Sequence, residues 1–216
     1  MPERMADTPH GPARLVRHPA RSAAAHLVIT HGAGGGIDAA DLVALADFLP
    51  RQGFAVTRVD MPWRVAGRRI APRPPVIDGC FEAVARGLRT KAPLVIGGRS
   101  AGARSACRVA TRVGAAGVLA LAFPLHPPGR PERSRVDELV AAGVPTLVVQ
   151  GGRDPFGRPE EFPETTELMP IPGADHALKV PARVREDTVS REDAVAILCE
   201  GVLEWLVREV AGNRTG

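Results

Sequence analysis

The run Val95-Ile96-Gly97-Gly98-Arg99-Ser100-Ala101-Gly102-Ala103 constrains this chain more than any other segment. An apolar stretch of β character ends in Gly-x-Ser-x-Gly and passes directly into helix-compatible sequence. A serine placed in this way sits on a sharp strand-to-helix turn at the top of a sheet. The turn holds the serine in a strained backbone conformation, and glycines two residues to either side let strand and helix pass closely. Ala101 and Ala103 keep the neighbourhood small. The bare pattern is common; the β run before it and the helix after it give it meaning.

The rest of the chain alternates strand-like and helix-like segments, which points to a mostly parallel sheet covered on both faces. Strands are expected at His26–His31, Phe54–Val59, Pro93–Gly97, Val118–Phe123, Thr146–Gln150 and Thr166–Ile171, with a first strand near Ala13 to Arg17. Helices are expected at Asp38–Leu49 with Asp38 as N-cap, Ile77–Leu88, Ala101–Val113, Val136–Ala142 and Ser190–Val210, the last capped by Ser190 with Asp193 three residues on. Met61–Pro75, rich in Pro and Arg, reads as a loop or short lid, and Pro124–Arg135 as a Pro-rich loop. The expected architecture is α/β: one doubly wound sheet of about six to seven strands with no large cap. Residues 1–24 form a lead-in, 25–211 the domain and 212–216 a tail.

At 216 residues the chain can bury one sizeable core. No apolar run approaches the ~20 residues needed to cross a bilayer, and Met1–Ala25 lacks the apolar centre of a secretory signal. The formal net charge of +4 comes without a block of like charges or interleaved aromatics, so a basic surface accounts for it better than nucleic-acid binding. Cys80, Cys107 and Cys199 lie far apart, with neither a disulfide framework nor metal-ligand spacing. Buried free thiols in a reducing cytoplasm fit them, and no metal or cofactor is expected.

A serine hydroxyl is a weak nucleophile near neutrality and needs a base in hydrogen-bond reach, itself oriented by a third group. In one order known for such sites, the acid and the histidine follow the serine, each on a loop at the carboxyl end of a later strand. Here Arg153-Asp154-Pro155 follows the Thr146 strand, and Pro172-Gly173-Ala174-Asp175-His176 follows the Thr166 strand. Ser100 is therefore expected as nucleophile, Asp154 as orienting acid and His176 as general base, then acid. His126 precedes Asp154 and breaks this order. His31 opens a glycine turn, where a structural task suits it better. Asp175 is adjacent to His176 and better placed to bind local backbone N–H groups or water.

An oxyanion formed at this serine needs preorganised donors. One is expected from the backbone N–H of Ala101, and the other from the turn His31-Gly32-Ala33-Gly34-Gly35-Gly36, with Ala33 N–H first and Gly34 as the alternative. The same turn lacks the third glycine of a dinucleotide fingerprint and the Lys-Ser/Thr of a P-loop. Taken singly, Ser100 reads equally as a helix cap, Asp154 as a turn residue and His176 as a solvated loop residue. Three of them in order at strand exits are harder to explain by chance.

With these pieces in place, the sequence from about Ala25 to Val210 resembles a small α/β-hydrolase. It is most similar to the compact, cap-less branch that includes dienelactone-hydrolase-like proteins and the hydrolase-like domains of testis-expressed and histone-acetyltransferase-complex subunits. The matching pieces are His31-Gly32-Ala33-Gly34-Gly35, Gly97 to Arg104, Phe123-Pro124-Leu125-His126-Pro127-Pro128-Gly129 and Gln150 to Gly157. The resemblance implies the α/β-hydrolase fold and a Ser-His-Asp triad, and says little about substrate. True dienelactone hydrolases carry a cysteine nucleophile; this chain has Ser100.

Arg99, beside Ser100, and Arg104, one helical turn on, invite an anionic substrate, against the alternative that both pair with carboxylates such as Asp60 or the neighbours of Asp154. Arg64, Arg68, Arg69 and Arg73 could border the site. Gly34, Trp63 and His126 join Arg99 as candidate substrate contacts, Trp63 as one wall. The short stretch between Phe123 and Thr146 leaves no room for a helical cap. The expectation is a cofactor-independent serine hydrolase acting on a small carboxylic ester or thioester through an acyl-enzyme. The competing expectation is a non-catalytic interaction module on the same fold, distinguished by whether His176 reaches Ser100.

Overall fold

The computed structural model describes residues 3–182 and 188–212. Its centre is an eight-stranded sheet in the order β1-β2-β4-β3-β5-β6-β7-β8. The strands are β1 (Glu3–Ala6), β2 (Ala13–His18), β3 (Ala25–Thr30), β4 (Phe54–Asp60), β5 (Leu94–Arg99), β6 (Gly117–Leu121), β7 (Thr146–Gly151) and β8 (Glu167–Ile171). β1 runs antiparallel to β2, and β2 antiparallel to β4; every later pairing is parallel. The helices are α1 (Ala40–Phe48), α2 (Pro62–Val65), α3 (Pro74–Gly87), α4 (Ala101–Val109), α5 (Val136–Val140) and α6 (Arg191–Trp205).

Residues of a strand point alternately to its two faces, so the central apolar runs feed two cores. Val28, Ile96, Val118 and Val148 face Phe81, Val84, Ala106 and Leu139 of α3, α4 and α5. Leu27, Ile29, Val95, Leu119 and Val149 face Leu42, Leu45, Leu198, Val202 and Trp205 of α1 and α6. All six residues of β3 and all five of β6 are buried, as expected of strands covered on both sides.

The sheet is wider than the six to seven strands expected. The lead-in supplies two strands instead of one, and β1 is a short edge strand whose residues stay largely exposed, so it shows no apolar alternation. The first helix begins at Ala40 rather than Asp38. Ala39 N–H donates to Gly36 O, the turn continues through Asp38, and Ala39 takes the cap position without a side-chain bond. Asp41 carries the negative charge of the first helical turn instead. The segment expected as a loop or lid at Met61–Pro75 contains the four-residue helix α2, and α3 starts within it at Pro74. Ser190 caps α6 as expected, its Oγ accepting from Asp193 N–H at 3.0 Å, and the helix ends in a π-helical turn over Leu206–Ala211. Among the described residues no helix is long and apolar enough to cross a membrane.

Candidate active site

β5 leaves the middle of the sheet between β3 and β6, and its chain reverses into α4 at Ser100. Ser100 has φ 52° and ψ −110°, a conformation L-residues rarely adopt. It persists because the surroundings over-determine it: Ser100 N–H donates to Leu121 O at 2.9 Å, and its carbonyl accepts from Arg104 N–H at 3.1 Å. The glycines two residues to either side have no room for a side chain. A Cβ on Gly98 would lie 2.7 Å from Thr30 O, and one on Gly102 would lie 2.8 Å from His31 O.

Two strands further along, Asp154 leaves β7 in a turn in which its N–H donates to Gly151 O at 3.1 Å. Its carboxylate is 0 % exposed. Oδ1 accepts from Phe156 N–H at 2.8 Å, and Oδ2 accepts from Gln150 Nε2 at 2.9 Å and from His176 Nδ1 at 2.7 Å. His176 stands on the loop after β8. That loop is shaped by Asp175, whose Oδ1 accepts from Ala177 N–H at 2.7 Å and Lys179 N–H at 3.0 Å, the local backbone task expected of it. The Phe156 ring lies against the imidazole, with centroids 4.2 Å apart.

His176 Nε2 is 3.0 Å from Ser100 Oγ. Since a carboxylate only accepts, the proton on the imidazole is assigned to Nδ1 by this network, which leaves the Nε2 lone pair facing the serine hydroxyl. The three side chains thus form an unbroken line from a buried carboxylate through an imidazole to a strained serine. Such a line can remove the hydroxyl proton as the oxygen attacks an electrophile.

The glycine turn lies alongside. A Cβ on Gly32 would be 3.3 Å from Ser100 Cβ. Gly32 O accepts from His31 Nδ1 at 2.8 Å and from Gly35 N–H at 3.3 Å. In a trans peptide the N–H opposes the carbonyl, so these bonds turn Ala33 N–H to the opposite side from the His31 ring. Ala101 is the first residue of α4, where N–H groups lack intrahelical partners. His31 is buried and structural: Nε2 accepts from Met61 N–H at 3.0 Å, and its ring meets Trp63 edge-on at 5.2 Å. Asp60 Oδ1 lies 3.3 Å from the same Nε2. Burial pushes the Asp60 carboxyl up, but its contacts with His31 and the bond from Arg14 outweigh it and hold it below its ordinary value.

The remaining candidates separate. Arg99 pairs with Asp41 rather than Asp60, and also donates to His176 O. Arg104 pairs with Glu138, whose other oxygen meets Arg108; both are tied between α4 and α5. Trp63 is buried, and with Arg68 and Ile70 it lines a cleft of about 770 Å³ whose lining includes none of Ser100, Asp154 or His176. His126 is fixed by Pro127 O and by Glu161, whose contacts raise its pKa. Gly34 is exposed on the turn. Sequence reasoning missed Gln150, Phe156 and Asp41. Gln150 had a signal, a polar residue closing the otherwise apolar Leu147–Val149 run; the other two had none. Cys80, Cys107 and Cys199 are buried free thiols, with burial pushing Cys107 up to about 12 and Cys199 to about 11. Among the described residues no group of three or more His, Cys, Asp or Glu is arranged to hold a metal ion.

The fold is similar to that of several solved proteins at low sequence identity. One is XC6422 from Xanthomonas campestris, described as an α/β serine hydrolase without lid, with a TM-score of 0.70 at 18% identity over 97% of this chain and 94% of that one. The dienelactone hydrolase from Anabaena variabilis gives 0.72 at 17% identity over 97% of both chains. Est1E from Butyrivibrio proteoclasticus gives 0.70 at 17% identity over 96% of this chain and 100% of that one. A family model described as an alpha/beta hydrolase domain matches residues 23–206, most of the chain, and with the sheet order and elbow above this protein belongs to that family.

Proposed function

We propose that this protein is a cofactor-independent serine hydrolase that cleaves a small carboxylic ester or thioester, with Ser100 as nucleophile, His176 as base and Asp154 as its orienting acid. The observation that carries this reading is the contact of His176 Nε2 with Ser100 Oγ at 3.0 Å, backed by the 2.7 Å bond from Nδ1 to a fully buried carboxylate. A non-catalytic module has no need of that alignment or of the backbone strain at Ser100.

Ser100 Oγ attacks the carbonyl carbon while its proton passes to His176 Nε2. The carbonyl oxygen becomes an oxyanion that accepts from the N–H groups of Ala101 and Ala33. Collapse breaks the bond to the alcohol or thiol, which leaves with the proton from Nε2 and gives an acyl-Ser100 ester. Water then gives a proton to Nε2 and attacks that ester; the second collapse releases the acid and returns the proton to Ser100 Oγ. Asp154 stays ionised and stabilises the imidazolium formed in each half.

A compact substrate is favoured because only a three-residue 3₁₀ turn and the five-residue α5 stand between β6 and β7. The three buried free thiols support a reducing, cytoplasmic setting. The test is a fluorophosphonate probe, which should label wild type on Ser100 and leave Ser100→Ala unlabelled. Folded wild-type protein that resists labelling at pH 8 would sink the proposal. p-Nitrophenyl esters of increasing chain length and acyl-coenzyme A thioesters then define the acyl and leaving groups.

A further inference from the structure

Arg99 Nη2 donates to the backbone carbonyl of His176 at 2.7 Å, and Arg99 Nε lies 3.2 Å from Asp41 Oδ2. Arg99 ends β5 and immediately precedes Ser100; Asp41 is the second residue of α1. One guanidinium therefore joins the strand that presents the serine, the helix after the glycine turn and the loop that presents the imidazole. Both side chains are withdrawn from water, Arg99 at 16% exposure and Asp41 at 4%. Burial pushes the Asp41 carboxyl up, and the Arg99 charge opposes that rise. Without the guanidinium, Asp41 would be a buried carboxylate left with backbone N–H bonds and the Lys179 charge.

The loop around His176 has internal bonds, but these fix its shape rather than its place. Asp175 binds the N–H groups of Ala177 and Lys179, and Leu178 N–H donates back to Asp175 O at 2.9 Å, with Leu178 itself at φ 51°. The bond from Arg153 N–H to Ala174 O ties the start of the loop to the β7 side. The bond from Arg99 ties the main chain of His176 itself to β5. A planar guanidinium can face two acceptors at once in a set geometry, which an ammonium on a flexible stem cannot.

We propose that the Arg99–Asp41 pair is a positioning clamp: Arg99 holds the backbone of His176 in register with Ser100, and Asp41 orients Arg99 for that bond. This rests on His176 being the base of the proposed reaction. It assigns the residue between Gly98 and Ser100 to holding the machinery, in place of binding a charged substrate.

The test uses the full chain with Arg99→Ala, Arg99→Lys and Asp41→Asn, a neutral ester (p-nitrophenyl acetate), and hydrogen exchange of the 173–180 segment read by mass spectrometry. In Arg99→Ala, kcat should fall about 10²-fold, the cost of a misplaced base, while KM stays within about threefold. Exchange in 173–180 should rise, and guanidinium well below its denaturing range should restore turnover where sodium at equal ionic strength does not. Arg99→Lys keeps the charge and most of the packing, and should show the same loss of kcat; it decides the matter if Arg99→Ala does not fold. Asp41→Asn should lose less kcat than Arg99→Ala. Unchanged kcat and loop exchange in Arg99→Lys, or a loss confined to KM, overturns the clamp. If wild type neither turns over ester nor labels on Ser100, the hydrolase reading fails instead; loop exchange then decides the clamp alone, a rise in the Arg99 variants supporting it and no change overturning it.

Discussion

Gln150 and His176 donate to the same oxygen of Asp154, Oδ2, at 2.9 and 2.7 Å. The Gln150 amide also donates to Gly157 O at 2.7 Å, so it fixes both the carboxylate and the loop that carries it. A carboxylate at 0 % exposure needs such donors to replace the hydration lost on burial.

Gln150→Leu removes those bonds in a fully buried site. It should destabilise the protein by about 2 kcal/mol and lower kcat more than it raises KM. Gln150→Glu places a second carboxylate beside Asp154, where both cannot ionise readily. Its turnover at neutral pH should be below that of the leucine variant, as read from parallel pH–rate profiles.

Asp154→Asn keeps the shape but alters the proton arrangement. Phe156 N–H needs an acceptor at the Oδ1 position, so the asparagine oxygen stays there and the asparagine N–H group takes the Oδ2 position, facing His176 Nδ1. The imidazole must then carry its proton on Nε2, where it cannot accept from Ser100. If the proposed triad operates, turnover should fall about 10⁴-fold, as for the same change in a serine protease, with the fold intact by circular dichroism.

Gly102→Ala brings a methyl group to 2.8 Å from the His31 carbonyl and from Thr30 Cγ2. The backbone must move, costing about 1–3 kcal/mol. Since the displaced residues precede Ala33, the proposed oxyanion donor, the loss in kcat should exceed that of an equally destabilised variant in a remote core, such as Leu45→Ala. Urea midpoints and kcat measured on both variants check this.

His26 is buried on β3, with Nε2 2.8 Å from Thr57 Oγ1. Burial first, and then the charge of Arg17, lower its pKa to about 4. The folded protein therefore resists protonation there while the unfolded chain protonates near its ordinary value of about 6.5. Above that value the site has no effect on stability; between about 6.5 and 4 the unfolded state binds more protons and stability falls with pH. The loss reaches about 3 kcal/mol at most. Urea unfolding at pH 7 and pH 4.5 should show it, and His26→Gln should flatten that part of the pH dependence.

What was legible in the sequence was local. The Gly98–Gly102 turn, the serine on it and the capping of α6 by Ser190 depend on backbone sterics and bonds spanning a few residues, and they stand where the residues put them. Strand-exit positions also follow from local patterning, so the order Ser100, Asp154, His176 could be read before any geometry. Asp38 shows the limit: it has the right residue type for a cap, but the turn from Gly36 moved the helix start past it. β1 was missed because Glu3–Ala6 lies at an exposed edge, where no apolar pattern is needed.

The sequence by itself determined a mostly parallel α/β sheet with a serine at its elbow, because periodicity and glycine sterics act along the chain. Only the tertiary structure decided which groups meet. Arg99 meets Asp41 and His176 rather than Asp60, Gln150 meets Asp154, and Phe156 meets the imidazole. Several of these contacts join residues far apart in the chain, and all depend on strand order, twist and burial, which no short pattern encodes. Charge alone does not choose a partner; removal from water does, since a buried ion is held only where a complementary group has been buried beside it.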